Sequence, residues 1–167
     1  MYPRNRPNWL GRALNRLAVV QFGLGVLAPP NWVVLEVRGR TTGRTIACPV
    51  VVTTLDGERY LVAMLGRNVN WVRNVRASGG RAVVWRRSRQ AVDLVDVPVA
   101  LRAPVVRRYL QLAPGARPHI PVDRRASLSA FEAMAGQIPV FRIVLRDRGV
   151  PGTGPSPGDH RPPAGDL

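Results

Sequence analysis

The chain has 167 residues, 46% of them hydrophobic, which excludes an intrinsically disordered polymer and gives length enough for one domain with a real core. Its 25 basic residues against 10 acidic ones give a net charge of +15, which calls for an anionic partner: nucleic acid, membrane lipid, or a phosphorylated or polycarboxylate small molecule. One cysteine, Cys48, excludes an internal disulfide and fits a reducing, cytoplasmic compartment, and two histidines make a structural metal site unexpected.

Every base is arginine, whose planar fork grips phosphate and carboxylate bidentately. The abundance of Ala, Val, Gly and Pro makes genomic base composition the plainer account of that choice. It does not account for the excess of bases over acids.

In chain order, Arg4, Arg6, Arg12 and Arg16 precede an apolar run from Leu17 to Ala28. Trp9, Leu10, Ala13, Leu14, Leu17 and Ala18 recur at helical spacing, which predicts a basic amphipathic helix over 8–20, packed on the domain or resting on a membrane surface. The competing reading is a cleaved signal ending at Val26-Leu27-Ala28, and Pro29 directly after that site opposes it. No apolar run reaches the length of a membrane span.

Strands are predicted at Trp32–Arg38 and Thr45–Thr54, then Glu58–Leu65 after the hairpin signal Asp56-Gly57. Their near-continuous apolar runs imply burial on both faces, as in a barrel wall. Asn68 is expected to cap a helix through Ser78, with Trp71, Val72 and Val75 inward and Arg73, Asn74 and Arg76 outward, stopped by Gly79-Gly80. Two more strands follow, Arg81–Ser88 and Gln90–Val97, the second alternating Val92, Leu94, Val95 and Val97 against Asp93 and Asp96. Pro98 and Pro104 open a helix to about Leu112 with Val105, Val106, Tyr109 and Leu110 as its apolar stripe. Ser129 and Glu132 have the spacing of a capping box for a short helix ending near Ala135, and Pro139–Leu145 reads as a last strand. From Asp147 the composition turns to Pro, Gly, Ser and Asp, expected to be a disordered tail. The expected organisation is therefore 1–28 as helix and linker, 29–147 as a small α+β barrel domain with helices on its ends, and 148–167 as tail. Strand–helix alternation of the doubly wound kind is missing.

Two stretches carry chemistry. The first is the turn Gly39-Arg40-Thr41-Thr42-Gly43-Arg44 between the first two strands. Gly and Thr explain a turn; Arg38, Arg40 and Arg44 are either solvated or, with the turn's amides, an anion cradle. The second is residues 61–85, where a buried strand ends at Gly66-Arg67 and a helix start brings amides that favour negative charge. No GxSxG, HExxH, P-loop or paired carboxylates occur, so reactive chemistry, if present, belongs to a bound cofactor. No catalytic residue is assigned.

Together, Gly39-Arg40-Thr41-Thr42-Gly43, Pro49, Asp56-Gly57 and Trp71-x-x-Asn74 stand in an order that resembles the deazaflavin-dependent nitroreductase family. The resemblance runs from about Val33 to Val97 and more weakly to Leu145. It implies a split β-barrel of mainly antiparallel strands that binds coenzyme F420 and passes hydride to a quinone, nitroaromatic or similar small hydrophobic acceptor. It implies that Arg38, Arg40, Thr41, Thr42, Arg44 and Arg67 hold the cofactor's anionic tail, with Trp71 and Asn74 alongside. Better-known members carry Lys where this chain has Thr41, and a Ser-Lys-Gly-Gly type stretch where it has Gly66-Arg67-Asn68, so Arg44 and Arg67 are the expected substitutes. Cys48, Pro49 and Val50, with Ala63, Met64 and Leu65, are expected around the ring, and Gly66 is a further expected cofactor contact. Trp9, Phe22, Tyr109 and His119 are the expected acceptor contacts, and the basic N-terminus suits a reductase drawing its substrate from the inner face of a membrane.

Three alternatives stand beside this reading: an FMN-dependent reductase, a non-catalytic flavin-, haem- or lipid-binding protein on the same fold, and a nucleic-acid-binding barrel. With three Phe, four Trp and three Tyr, mostly in core-like positions, the chain offers few aromatics for stacking bases, so no nucleic acid is expected.

Overall fold

A computed structural model describes residues 29–146. The predicted helix over 8–20, with Trp9 and Phe22, and the predicted tail lie outside the described residues.

Six strands close into one antiparallel barrel: β1 (Trp32–Arg38), β2 (Thr45–Leu55), β3 (Glu58–Val62), β4 (Arg81–Arg86), β5 (Ser88–Asp96) and β6 (Val140–Leu145). The order around the barrel is β1-β2-β3-β6-β5-β4, and β4 pairs back onto β1 through Leu35 and Val84. β6 therefore slots between β3 and β5, with Leu61 opposite Phe141 on one side and Leu94 opposite Ile143 on the other. Among the described residues, three α-helices accompany the barrel, α1 (Asn70–Ala77), α2 (Arg102–Leu112) and α3 (Leu128–Met134), with short 3-10 turns next to α2 and α3.

Two apolar cores explain the uninterrupted apolar strands. Leu35, Val37, Leu61, Val72, Val92 and Phe141 meet in one cluster, to which α1 contributes. Val51, Val62, Val106, Leu110, Phe131 and Val140 meet in the other, beneath α2 and α3. Neighbouring residues such as Leu61 and Val62 point to opposite faces of a strand, and each face has its own core.

Arg102 joins these layers. It is buried, and its Nε donates to the Val97 carbonyl at 2.7 Å while Nη1 donates to those of Ala135 and Ile138 at 3.3 and 3.2 Å. Burial lowers its pKa, and Asp96 at 3.5 Å acts in the opposite direction. One side chain thus ties the end of β5, the start of α2 and the entry to β6.

Several boundaries differ from expectation. β3 stops at Val62: the Ala63 N–H donates to the Pro139 carbonyl, and Met64 and Leu65 turn away from the sheet toward Gly66, whose φ is +86°. Asn68 does not cap α1; Val69 occupies the cap position and no side chain bonds the free amides there. Asn74, expected on the outer face, is 1% exposed. The β4–β5 turn comes two residues earlier than predicted, with Arg87 rather than Arg89 standing alone, at φ +65°, between paired Arg86 and Ser88. Val95 faces outward rather than inward. Ser127, not Ser129, stands at the N-cap of α3, so the Ser129–Glu132 capping box does not form. Among the described residues, no helix is long and apolar enough to cross a membrane, and no cluster of acidic, His and Cys side chains is placed to hold a metal.

Candidate cofactor site

An apolar slot of about 350 Å³ opens beside β2. Cys48, Pro49, Val50 and Val51 form one wall, Val62, Met64 and Leu65 another, and Trp71 and Tyr109 reach in from α1 and α2. Pro49 donates no N–H, and on this strand it faces Val34 of β1 in register. Burial pushes the Cys48 thiol up to about 11 and the Tyr109 phenol up to about 12, so both are neutral at physiological pH. The slot carries no charged side chain, as a flat aromatic ligand requires.

A second cavity, about 510 Å³, has the opposite character. It is lined by Arg38, Gly39, Arg40 and Gly43 from the β1–β2 turn, and by Ala77, Ser78 and Arg81 from the end of α1 and the start of β4. The turn closes through Gly39, whose N–H donates to the Arg44 carbonyl at 2.8 Å, and Gly43, whose N–H donates to the Gly39 carbonyl at 2.9 Å. Gly43 takes φ +69°, so glycine serves the turn, and the Arg38 guanidinium packs beside it. Arg40 is held against α1: its N–H and Nη1 donate to Asn74 Oδ1.

Two elements connect the cavities. From Thr45, at the turn, to Cys48, in the slot, is three residues of β2, about 10 Å of strand. From Trp71 to Ala77 is six residues of α1, about 9 Å of helix. An elongated ligand with an apolar head and an acidic tail fits this separation.

The charge distribution agrees. Glu36, Glu58, Asp93 and Asp96 pair with Arg89, Arg142, Arg146 and with Arg76 and Arg102. Arg38, Arg44 and Arg81 take part in no ion pair among the described residues, and the Nδ2 of buried Asn74 has no hydrogen-bond partner among them. The cavity beside the turn is left with uncompensated positive charge.

The family model described as F420H(2)-dependent quinone reductase matches residues 13–125. The chain belongs to this family. Its cofactor is accordingly F420, and it is an F420-dependent reductase with a split-barrel fold. A solved structure described as a domain-swapped dimer has the same fold, with 17% identity over 81% of this chain and 96% of that one and a TM-score of 0.51. The F420-H2 dependent reductase FDR-A is 18% identical, over 68% of this chain and 94% of that one, with a TM-score of 0.44. A comparison with curated proteins finds no match.

F420 joins a flat deazaflavin ring to a phosphate and a string of glutamates, and the residues present suit it: an uncharged slot for the ring and unpaired arginines for the tail. Of the residues expected around the ring, Cys48, Pro49, Val50, Met64 and Leu65 line the slot, and Trp71, expected alongside the tail, lines it as well. Ala63 does not, being core at 1% exposure, and Gly66 and His119 line a different cavity. Tyr109, expected at the acceptor, lines the ring slot instead. On the tail side, Arg38 and Arg40 line the basic cavity, whereas Thr41, Thr42 and Arg44 are exposed on the turn and Arg67 lines neither cavity. The Thr42 Oγ1 accepts from the Arg44 N–H at 3.3 Å, an ST-turn that shapes the loop.

Sequence reading missed Trp32, Val51, Val62 and Val69 in the slot and Ala77, Ser78 and Arg81 in the cleft. Arg81 had a signal: Gly79 and Gly80, at φ +65° and +86°, reverse the chain and return it beside the first turn.

Proposed function

We propose that this family member passes hydride from reduced F420 to a quinone or nitroaromatic acceptor, with the ring in the slot beside β2 and the acidic tail in the cleft beside Arg38, Arg40 and Arg81. The observation that carries the proposal is the separation of an uncharged slot from an uncompensated arginine cleft by about 10 Å of strand.

When bound, reduced F420 supplies the hydride. The chain's own part is positioning and exclusion. Pro49, Val50 and Trp71 present apolar surface that keeps water from the ring. Asn74 fixes Arg40, and with it the turn, before the tail arrives, so less ordering entropy is lost on binding. The neutral Tyr109 phenol offers a hydrogen-bond donor inside the slot.

The test is a fluorescence titration of the purified protein with F420, with FMN in parallel, followed by a screen of quinones and nitroaromatics with reduced F420. Tight, salt-sensitive F420 binding with quinone turnover supports the reading. F420 binding with no turnover of any acceptor overturns the reductive part. Contact with a membrane surface through residues 8–20 is a separable proposal that rests on their basic amphipathic pattern. Removing residues 1–28 should abolish sedimentation with anionic vesicles, and unchanged sedimentation rejects it.

A further inference from the structure

The ring slot, at about 350 Å³, lies near the bottom of the roughly 300–1,000 Å³ range of ligand pockets. A three-ring head takes up much of such a space. Hydride transfer nevertheless needs donor and acceptor atoms about 3–3.5 Å apart. The acceptor therefore needs volume that opens onto the slot from outside.

A cavity among the described residues meets that requirement. It measures about 400 Å³ and shares Met64 and Leu65 with the slot. From there it runs past Gly66 to His119 and Gln137. Its character changes along this path, from a thioether and an aliphatic chain at the slot end to an imidazole and an amide at the far end. Leu65, at the junction, is 58% exposed, so little packing holds its side chain across the passage. Gly66 is at φ +86°, a backbone conformation that residues with a side chain rarely adopt, and it sits beside the Gln137 carbonyl in this wall. No carboxylate lines the cavity to repel an electron-rich oxygen.

We propose that this second cavity is the acceptor subsite. It takes a planar, carbonyl-bearing aromatic of the quinone class. The acceptor's ring lies against Met64 and Leu65, at the edge of the slot, and a carbonyl oxygen is held by donors from His119 and Gln137. This rests on the F420 reading above for the occupant of the slot, and it adds where the acceptor enters and which side chains select it.

The experiment uses menadione as the probe and the full-length protein without cofactor. Quenching of tryptophan fluorescence reports binding, since Trp32 and Trp71 line the adjoining slot. Saturable quenching is expected, weakened about fivefold or more by His119→Phe, which removes a hydrogen bond, and recovered by His119→Gln, which restores a donor. Gln137→Trp, at an exposed position, should weaken it by filling the cavity. Reduced-F420 assays on the same variants should show a raised KM for menadione with F420 affinity unchanged. Menadione binding and KM indifferent to both His119→Phe and Gln137→Trp would overturn the subsite. Failure of the wild-type protein to bind F420 would instead sink the reading on which it rests, so the two failures are distinguishable.

Discussion

Arg40 and Asn74 lie 34 positions apart, yet one side-chain oxygen serves both the backbone and the guanidinium of Arg40: N and Nη1 stand 3.2 and 2.8 Å from Asn74 Oδ1. The Arg40 Nη2 also reaches Asn70 Oδ1 at 3.4 Å. The β1–β2 turn is thereby fastened to α1 by a residue that is itself buried. Replacing Asn74 with Ala should cost about 1–3 kcal/mol in a urea melt, because two hydrogen bonds from Arg40, one of them charge-assisted, lose their acceptor. Asn74→Asp is the sharper probe. It keeps an acceptor for Arg40 while adding negative charge beside the cleft, so it should weaken F420 binding more than it lowers stability. Equal F420 affinity in Asn74→Asp and wild type would argue against the cleft as the tail site.

The unpaired arginines give a second expectation. Arg38→Ala and Arg81→Ala should each lower F420 affinity about tenfold, the scale of a charge-assisted hydrogen bond, and should flatten its dependence on salt. Arg142, on β6 across the barrel, pairs with Glu58 at 3.8 Å, and its replacement by Ala should leave F420 titrations unchanged.

Cys48 reports on the slot from within. Its folded pKa of about 11 lies above the 9.0 of an ordinary thiol, because burial disfavours the thiolate. Disulfide reagents should therefore react slowly with the folded protein at pH 7.5, and bound F420 should slow them further. The sign of the linkage follows. The stabilisation is full below pH 9 and is lost as pH rises toward 11, with Tyr109 adding a similar loss between 10 and about 12. Melts of Cys48→Ser across pH 8–11 should show a shallower decline than wild type.

Arg102 should matter for folding and not for binding directly. Arg102→Leu removes the donors held by the carbonyls of Val97, Ala135 and Ile138. A loss of roughly 3 kcal/mol in denaturant melts is expected, in the range for breaking a buried charged network. Arg102→Lys should recover only part of it, since an ammonium does not reproduce the planar fork.

The residues say where some of this structure lies and are silent on the rest. β1 was readable to its end residues because Trp32 opens an apolar run and Gly39 closes it. The α2 stripe of Val105, Val106, Tyr109 and Leu110 was readable because one helical face meets one core. Closure of the barrel was not, since nothing local in Val140–Leu145 says that it pairs with both β3 and β5. The burial of Asn74 was hidden for a related reason: a polar residue between Arg73 and Val75 reads as solvated, and only the distant partner Arg40 makes its burial tolerable. On the slot side, Cys48 to Val50 came from the family resemblance, while Trp32 and Tyr109 arrive from elements that only the fold brings near. His119 and Gly66 were anticipated near the cofactor or its acceptor, but their shared cavity depends on how the chain leaves β3.

The position of β6 bears on how the chain must be made. In the finished ring every strand has two neighbours, so none of its valine-rich segments presents an open row of amides to another molecule. That protection is incomplete until the closing segment is in place. During synthesis β1 to β5 emerge first, leaving β3 and β5 each with an unpaired flank until about eighty residues after β3 have been added. The interval before Val140–Leu145 docks is when this chain is most exposed to misassociation, and a chaperone that shields those two flanks would protect it through that interval.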